Sequence, residues 1–559
     1  MPARCPPRPT PCCKGQSCKT PRCKIPRCKN QGIRKLTVSR PSAQSPKLQP
    51  ALAALHAGRM PDAERQLRRI LRQHPEHPEA LHCLGIALHA QGQSIHALGF
   101  IDRALRLNPA NSRAENNRAH VLNALLRPAE ALASLDRALA LQPADPELHY
   151  NRANTLMALS RTEEALTEFE CALALNPALH QARQNMGIAL TRLGRLPEAL
   201  AIYDQLLTTA GAALPELRAN RAGTLDQMNR RADALADCDA ALTQDPTHAL
   251  AHWNAAIICL GLGDYTRGWR EWEWRWQAPD FARHRRVFKQ PTWLGQPGIA
   301  GRRILIYPEQ GLGDTIQFCR YLPMLKALGA EIILETPPPL LPLLRTLTGV
   351  DHLVPSGENP GPFELQTPLM SLPLAFGTQL ETVPASIPYL ATDPDRVTRW
   401  RHRLGPAKPF RVGLAWSGNP ALKSDAVRSA PLAALAGLAL PGVEFISVQK
   451  DMRQSDAQAA AALGIRHFGD DLTDFADTAA LISLLDLVIS VDTAPAHLAG
   501  ALGKPVWLLL HVTAEWRWLM DRDDSPWYPT ARLFRQRISQ DWGELAGRVR
   551  NQLAELIPV

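Results

Sequence analysis

Three stretches in the second half of the chain combine glycine, carboxylate and cation in ways that could do chemistry on a phosphorylated ligand. The first is Glu309-Gln310-Gly311-Leu312-Gly313-Asp314. Gly311 and Gly313 let a ligand approach the backbone, Gln310 adds an amide, and Asp314 stands at the mouth of the helix expected next. There it could cap that helix or accept a proton from a hydroxyl in a cleft. Ile316 replaces the third glycine of the dinucleotide fingerprint, which argues against an oxidoreductase. The second stretch, Ser490-Val491-Asp492-Thr493-Ala494-Pro495-Ala496-His497, reads as a strand end entering a helix with proline in its first turn. Free N–H groups at that positive helix end suit a diphosphate such as that of a nucleotide sugar. His497, one turn along, could donate to a phosphate oxygen or be a satisfied structural histidine. The third stretch is Trp416-Ser417-Gly418-Asn419-Pro420, continuing through Lys423, Asp425, Arg428 and Ser429. Its cations could neutralise charge developing on a leaving diphosphate, and Gln449 and Lys450 close the following strand in the same way. The segment Gly500-Ala501-Leu502-Gly503-Lys504-Pro505 is too short for a Walker A loop and has proline where magnesium needs a hydroxyl, which disfavours an NTPase. No Cys/His cluster has metal-ligand spacing, and Asp393-Pro394-Asp395 falls in a linker. Metal-independent chemistry with no tightly bound cofactor is therefore expected.

These stretches need strands to carry them. Buried apolar runs predict strands at 304–307, 331–335, 412–416, 443–448, 487–491 and 506–510, with a Gly-rich loop at 309–314 and a helix over 315–328. The two blocks meet near residues 390–409 and predict two doubly wound lobes, 293–390 and 410–543, with a cleft between them and a closing helix at 544–559. Ligands in such sheets sit beyond the carboxyl ends of the strands, where all three stretches lie.

Over about residues 293–543 the chain resembles glycosyltransferase family 9, the heptosyltransferase-like domains. The resemblance rests on Tyr307 through Asp314, Asp474-Phe475-Ala476-Asp477-Thr478-Ala479, Val491 through Gly500, and Trp516-Arg517-Trp518 through Ser525-Pro526-Trp527-Tyr528-Pro529. It implies a GT-B fold of two Rossmann-like lobes, the acceptor in the first and the nucleotide sugar in the second, and transfer with inversion. It also implies that Asp314 is the base, that Asp492, Thr493 and His497 contact the donor, and that Lys423 neutralises phosphate; from their places at strand ends, Asn419 and Gln449 are expected to join the donor-binding set. Gln310, Gly311 and Gly313 form the adjoining phosphate or acceptor loop.

The first half is periodic. Ala63, Ala97, Ala131, Ala165 and Ala199 recur every 34 residues, followed by Ala234 and Gly268. A second small-residue register runs through Ala51, Gly85, Ala119, Ala153, Gly187, Ala222 and Ala256, and Pro75, Pro109, Pro143, Pro177 and Pro246 end helical stretches. Two closely packed helices per 34 residues make a helical solenoid, and this part resembles seven tetratricopeptide repeats over 44–282. Asn117, Asn151, Asn185, Asn220 and Asn254 share one register, expected at solvent-accessible positions. Stacked repeats align such amides, which could grip an extended peptide backbone or bridge neighbouring repeats. The repeat arms of protein O-linked N-acetylglucosamine transferases carry a similar ladder. After the repeats, Trp269, Trp272 and Trp276 fall at helical spacing and predict a cap against the next domain.

The 559 residues imply several units, and 45% hydrophobic with 21% charged residues fit a globular chain. The net charge of +10 hints at a polyanion partner, but the first 50 residues hold twelve Lys or Arg and no acid. Fifty-one bases and fifty-three acids remain in the other 509, so no nucleic-acid partner is expected. Residues 1–43, with six cysteines and frequent proline, read as a disordered basic tail, and no apolar run marks a secretory signal or a membrane span. Five scattered cysteines at apolar positions suit reduced thiols in the cytoplasm.

The leading expectation is a glycosyltransferase, inverting and metal-independent, whose repeats bind a protein or peptide acceptor. One alternative is heptosyltransferase-like transfer to lipopolysaccharide or another glycan; another is a non-catalytic repeat scaffold on a degenerate lobe pair.

Overall fold

The computed structural model describes residues 48–209, 215–282, 285–406, 410–420, 425–513 and 515–557. The expected tail at 1–43 and Lys423 lie outside the described residues.

An N-terminal helical array is followed by an α/β region with two parallel sheets, the architecture of a tetratricopeptide solenoid joined to GT-B-like lobes. Among the described residues the array has seven antiparallel pairs, from Gln49–His56 with Met60–Gln73 to Ala249–Leu262 with Tyr265–Trp272. The small-residue registers are explained by contact distance. A Cβ on Gly85 would stand 2.5 Å from Ile101 Cγ1 of the paired helix, and one on Gly187 would stand 2.8 Å from the Tyr203 ring. Ala63, Ala97, Ala131, Ala165, Ala199 and Ala234 are all fully buried. Successive repeats are also stitched by ion pairs of one register, Asp102–Arg118 at 2.7 Å, Asp136–Arg152 at 2.8 Å and Asp204–Arg221 at 2.9 Å. Pairs this accessible contribute about 0.2–1 kcal/mol each, so they set alignment while the buried alanine and leucine faces hold the stack.

The first sheet contains β1 (Arg303–Tyr307), β2 (Glu331–Thr336), β3 (His352–Pro355) and β4 (Leu365–Pro368), ordered β3-β2-β1-β4 and parallel throughout. The second contains β5 (Phe410–Ala415), β6 (Val443–Ser447), β7 (Leu487–Val491), β8 (Val506–Leu510) and β9 (Ala531–Arg535), ordered β6-β5-β7-β8-β9 and also parallel. The helix expected over 315–328 is two helices, Leu312–Phe318 and Leu322–Ala327, separated by a single 3₁₀ turn. Pro323 follows that turn and cannot donate to the carbonyl four residues back.

Solenoid and lobes share one core. Trp269 and Trp272 are buried and meet Trp516 at centroid distances of 5.3 and 5.7 Å, and Trp269 also stands edge-on to Phe318 and Trp527. Trp276 does not join them; its ring carries the Arg275 guanidinium at 4.5 Å. Arg275 is fully buried and donates to Glu309 at 2.9 and 3.1 Å, to Glu273 at 2.7 Å and to Ser371 at 2.7 Å. The end of the solenoid is thereby clamped to the residue that opens the Gln310–Asp314 loop. Burial pushes Glu309 up to about 7, against the pull of Arg275.

Candidate active site

The seam between the lobes is built where β1 and β7 end. After β1 the chain turns directly into helix Leu312–Phe318, so Asp314 lies in the first helical turn and not in a loop. Its Oδ2 accepts from the Gly311 N–H at 2.7 Å, satisfying one of the donors that a helix start leaves open. Its Oδ1 accepts from Arg517 of the second lobe. Arg517 is 5% exposed, also donates to Gln317 Oε1 at 2.6 Å and to Glu515, and lies over the Trp516 ring at 4.4 Å. One guanidinium thus ties the two lobes together at the carboxylate expected to act as base.

Gly313 serves a different purpose from the one expected. A Cβ there would stand 2.8 Å from His497 Cδ2 and 3.5 Å from Ala494 Cα, so the missing side chain admits the opposite lobe and not a ligand. His497 is buried, stacks on Trp518 with centroids 5.4 Å apart, and pairs Nδ1 with the Tyr528 hydroxyl at 3.0 Å. Its Nε2 lies 3.7 Å from Asp492 Oδ1. Burial holds the imidazole well below its ordinary pKa, with Arg517 and other cations adding to the effect, so it is neutral at pH 7. It lines the seam, with Nδ1 engaged by Tyr528. Gly313→Ala is expected to cost about 1–3 kcal/mol by overpacking, because Trp518 and Tyr528 hold the ring that would have to yield. Urea unfolding of Gly313→Ala beside Gly311→Ala checks this, since a Cβ on Gly311 meets only Asp314 Oδ2, at 3.2 Å.

Thr493 precedes helix Ala494–Ala501 in extended conformation, and its hydroxyl stays local, 3.2 Å from the Val491 carbonyl. Asp492 beside it is partly buried and raised in pKa by that burial, while the positive charge of Arg517 and Arg428 acts in the opposite sense. Burial likewise pushes Glu515 up to about 7 against the pull of Arg517. Asp314, Asp492 and Glu515 therefore surround a single guanidinium.

Across the seam, the loop after β5 is held by Gln449. The Gln449 Oε1 accepts from the N–H groups of Trp416 and Ser417 at 3.0 and 3.2 Å, and its Nε2 donates to Ser417 Oγ and Asp451 O at 3.1 and 2.7 Å. With its amide engaged inside the lobe, Gln449 positions the loop and does not present itself to a ligand, contrary to expectation. Asn419 is exposed on the same loop. Arg428 lies against Gly418, where a Cβ would stand 2.9 Å from Nη2, and its Nε is buried without a hydrogen-bond partner. Gln310 Nε2, Gln317 Nε2 and Trp516 Nε1 are likewise buried and unpartnered. All four are donors, so the surroundings of the seam are short of acceptors. Among the described residues, no group of three or more His, Cys, Asp and Glu could hold a metal ion. The motif opening at Asp474 is a strut: its carboxylate accepts from Ala476 and Asp477 N–H and pairs with Arg396 at 2.8 Å.

The asparagine register is less open than its spacing implied. Asn117 is fully buried and lies 2.8 Å from His82 Nε2. Asn151 donates to Asn116 Oδ1 at 2.9 Å, Asn185 to Asn154 Oδ1 at 2.7 Å, and Asn254 to the Ala219 carbonyl at 2.7 Å. These three bonds each reach the preceding repeat. Asn220 Nδ2 is buried without a partner. Sequence reasoning did not pick out Arg517 or Arg275, whose roles come from contacts more than 30 residues apart in the chain. The Trp-Arg-Trp triplet was the available signal for the first.

Comparison with known proteins agrees with this division. Residues 472–540 match glycosyltransferase family 9 (heptosyltransferase), and residues 48–112, 116–179, 150–215 and 221–278 match tetratricopeptide repeats. Protein FlbA of Caulobacter vibrioides is 31% identical over 355 residues, 58% of this chain and 58% of its own length, so the chain spans little more than half of that relative. Among solved structures, a tetratricopeptide repeat protein from Parabacteroides merdae is 23% identical over 40% of this chain and 89% of its own, with a TM-score of 0.37. PilF of Pseudomonas aeruginosa is 20% identical over 37% and 94%, with a TM-score of 0.34. Among the described residues, no helix is long and apolar enough to cross a membrane. The chain joins a tetratricopeptide-repeat domain to a segment of glycosyltransferase family 9.

Proposed function

We propose that this chain transfers a sugar from a nucleotide-sugar donor to an acceptor hydroxyl on lipopolysaccharide or another glycan, in the manner of a heptosyltransferase. The observation that carries the reading is the interlobe seam itself, where Asp314 faces Arg517 and the nearby buried polar groups lacking partners are donors. A nucleotide sugar supplies the missing acceptors as a diphosphate.

In this reading, residues 293–390 take the acceptor and residues 410–543 the donor. Asp314 accepts the proton of the acceptor hydroxyl, and the oxygen attacks the anomeric carbon. The bond from that carbon to the diphosphate breaks, and the electron pair leaves with the nucleotide. A single displacement inverts the anomeric centre. Arg428 and the N–H groups opening helix Ala494–Ala501 balance the charge of the departing diphosphate, with Lys423 as a further cation. Asp492 and Thr493 line the donor side, Asn419 reaches it from the loop after β5, and Gln310 and Gly311 border the acceptor. No step calls on a metal or a resident cofactor.

The repeats are then a docking surface for a protein partner. Transfer to a protein acceptor is the second reading, favoured by the amide register along successive repeats. Against it, Asn151, Asn185 and Asn254 each already donate to the repeat before. Calorimetry and thermal unfolding with a panel of nucleoside diphosphates and their sugars test the donor site. A ligand at 100 times its dissociation constant stabilises by about 2.7 kcal/mol. Absence of any response across the panel would leave the scaffold reading in its place.

A further inference from the structure

Two arginines outside the interlobe seam, Arg231 buried and Arg535 half-buried, keep buried guanidinium nitrogens without hydrogen-bond partners. Arg231 opens helix Arg231–Gln244 of the sixth repeat, is 6% exposed, and lies so close over Gly261 of the seventh that a Cβ there would overlap its Nη1. Its Nε is ion-paired with Asp226 Oδ1 at 3.1 Å, although neither atom forms a hydrogen bond, and its Nη1 is buried without a partner. Arg535 ends β9. Its Nη2 donates to the carbonyls of Trp518 and Leu519 at 2.6 and 2.8 Å, while Nε and Nη1 are buried without partners. Helix Ala249–Leu262, on which Arg231 rests, packs against the turn at 516–518 whose end Arg535 holds. The two guanidiniums therefore flank one seam between the solenoid and the second lobe.

The electrostatics agree with that placement. Burial and then the charge of Arg231 pull Arg535 down to about 10, with Asp521 opposing. A cation in the first turn of a helix is also disfavoured by the helix dipole. Arg231 Nε has Asp226 beside it, which leaves Arg231 Nη1 and Arg535 Nε and Nη1 as three buried nitrogens with no hydrogen-bond partner, and unmet buried donors are costly. Guanidinium forks match the oxygens of phosphate two at a time.

We infer that this seam binds a tetrahedral oxyanion of the phosphate class between Arg231 and Arg535. The inference does not depend on the chemistry proposed for the interlobe seam. An anion here would fix the turn at 516–519 from behind, and that turn carries Arg517.

The test is thermal unfolding of the full chain in inorganic phosphate, with acetate and chloride at matched ionic strength and pH. Arg428→Met, which removes a cation assigned to the interlobe diphosphate, is the background in which Arg231→Met and Arg535→Met are compared. The expected result is a phosphate-specific rise in Tm for wild type and for Arg428→Met that is lost when either Arg231→Met or Arg535→Met is added. If the methionine variants do not fold, Arg231→Lys and Arg535→Lys keep the charge without the fork, and phosphorus NMR of added phosphate should then show its line broadening reduced relative to wild type. No phosphate-specific rise in wild type, an equal rise in acetate, or a rise that survives in the Arg231 and Arg535 variants overturns the site.

Discussion

Asp314→Asn is expected to lower the rate of sugar transfer by about 10²- to 10⁴-fold, the usual worth of a positioned general base. The amide is nearly the same shape as the carboxylate, and its oxygen can still accept from Gly311 N–H, the contact that fixes the helix start. What it lacks is a charge to hold a proton and to pair with Arg517. Affinity for the nucleoside diphosphate should change far less, because the donor groups assigned to it sit on the second lobe. Initial rates measured beside calorimetric affinities separate the two effects. A folded Asp314→Asn chain with full transfer rate would remove Asp314 from the mechanism.

Arg517→Met is expected to destabilise the fold by about 3–5 kcal/mol, the cost of breaking a buried ion pair by deleting one partner. Arg517 is the guanidinium bonded to both Asp314 and Glu515, and its charge also favours ionised Asp492. Removing it leaves three carboxyl groups around an apolar stub. The pH dependence follows from Glu515. Burial raises it from an ordinary 4.5 to about 7, so between those values the folded chain binds more protons than the unfolded one. That contribution to stability is fully present below about 4.5 and is lost as pH rises through about 7. Without Arg517 the carboxyl moves higher still, so the deficit of the variant should be larger at about pH 8 than at about pH 5. Urea midpoints of both chains at the two pH values check the sign. A deficit that shrinks with rising pH would contradict this electrostatic account.

The elements that could be read in advance were those with strong local signals. The 34-residue period exposes the solenoid because each repeat repeats the same close helix contact, seen at Gly85 against Ile101 and Gly187 against Tyr203. The strands foreseen, β1, β2, β5, β6, β7 and β8, are nearly continuous buried apolar runs. Those not foreseen, β3, β4 and β9, are four or five residues long and lie at sheet edges. His352 and Pro355 in β3, Gln366 in β4 and Arg532 in β9 interrupt runs this short, and Gln366 also bonds to the segment at 291–293 on the outer side of β4.

The seam shows the same limit. Asp314, Gly313, Asp492 and His497 could be singled out because each follows a strand in an unusual local sequence. Their contacts could not: Gly313 against His497 and Arg517 against Asp314 join segments about 180 to 200 residues apart. Gln449 illustrates the opposite error. A polar residue at a strand end is where a ligand contact is expected, yet its amide is consumed by the loop it supports. The asparagine register is similar, since an amide in a helix can satisfy the next repeat as readily as a bound peptide.

The most direct test of the central claim is to weigh the products. The full chain is incubated with a panel of nucleotide sugars and, in parallel, with truncated lipopolysaccharide core or with cell protein, followed by mass spectrometry of the acceptors and of the nucleotide released. The account predicts that one donor is consumed, its nucleoside diphosphate appears, and the glycan gains the mass of one sugar, with Asp314→Asn giving little of either product. If the folded wild-type chain consumes none of the nucleotide sugars with either acceptor, the interlobe seam is not a sugar-transfer site.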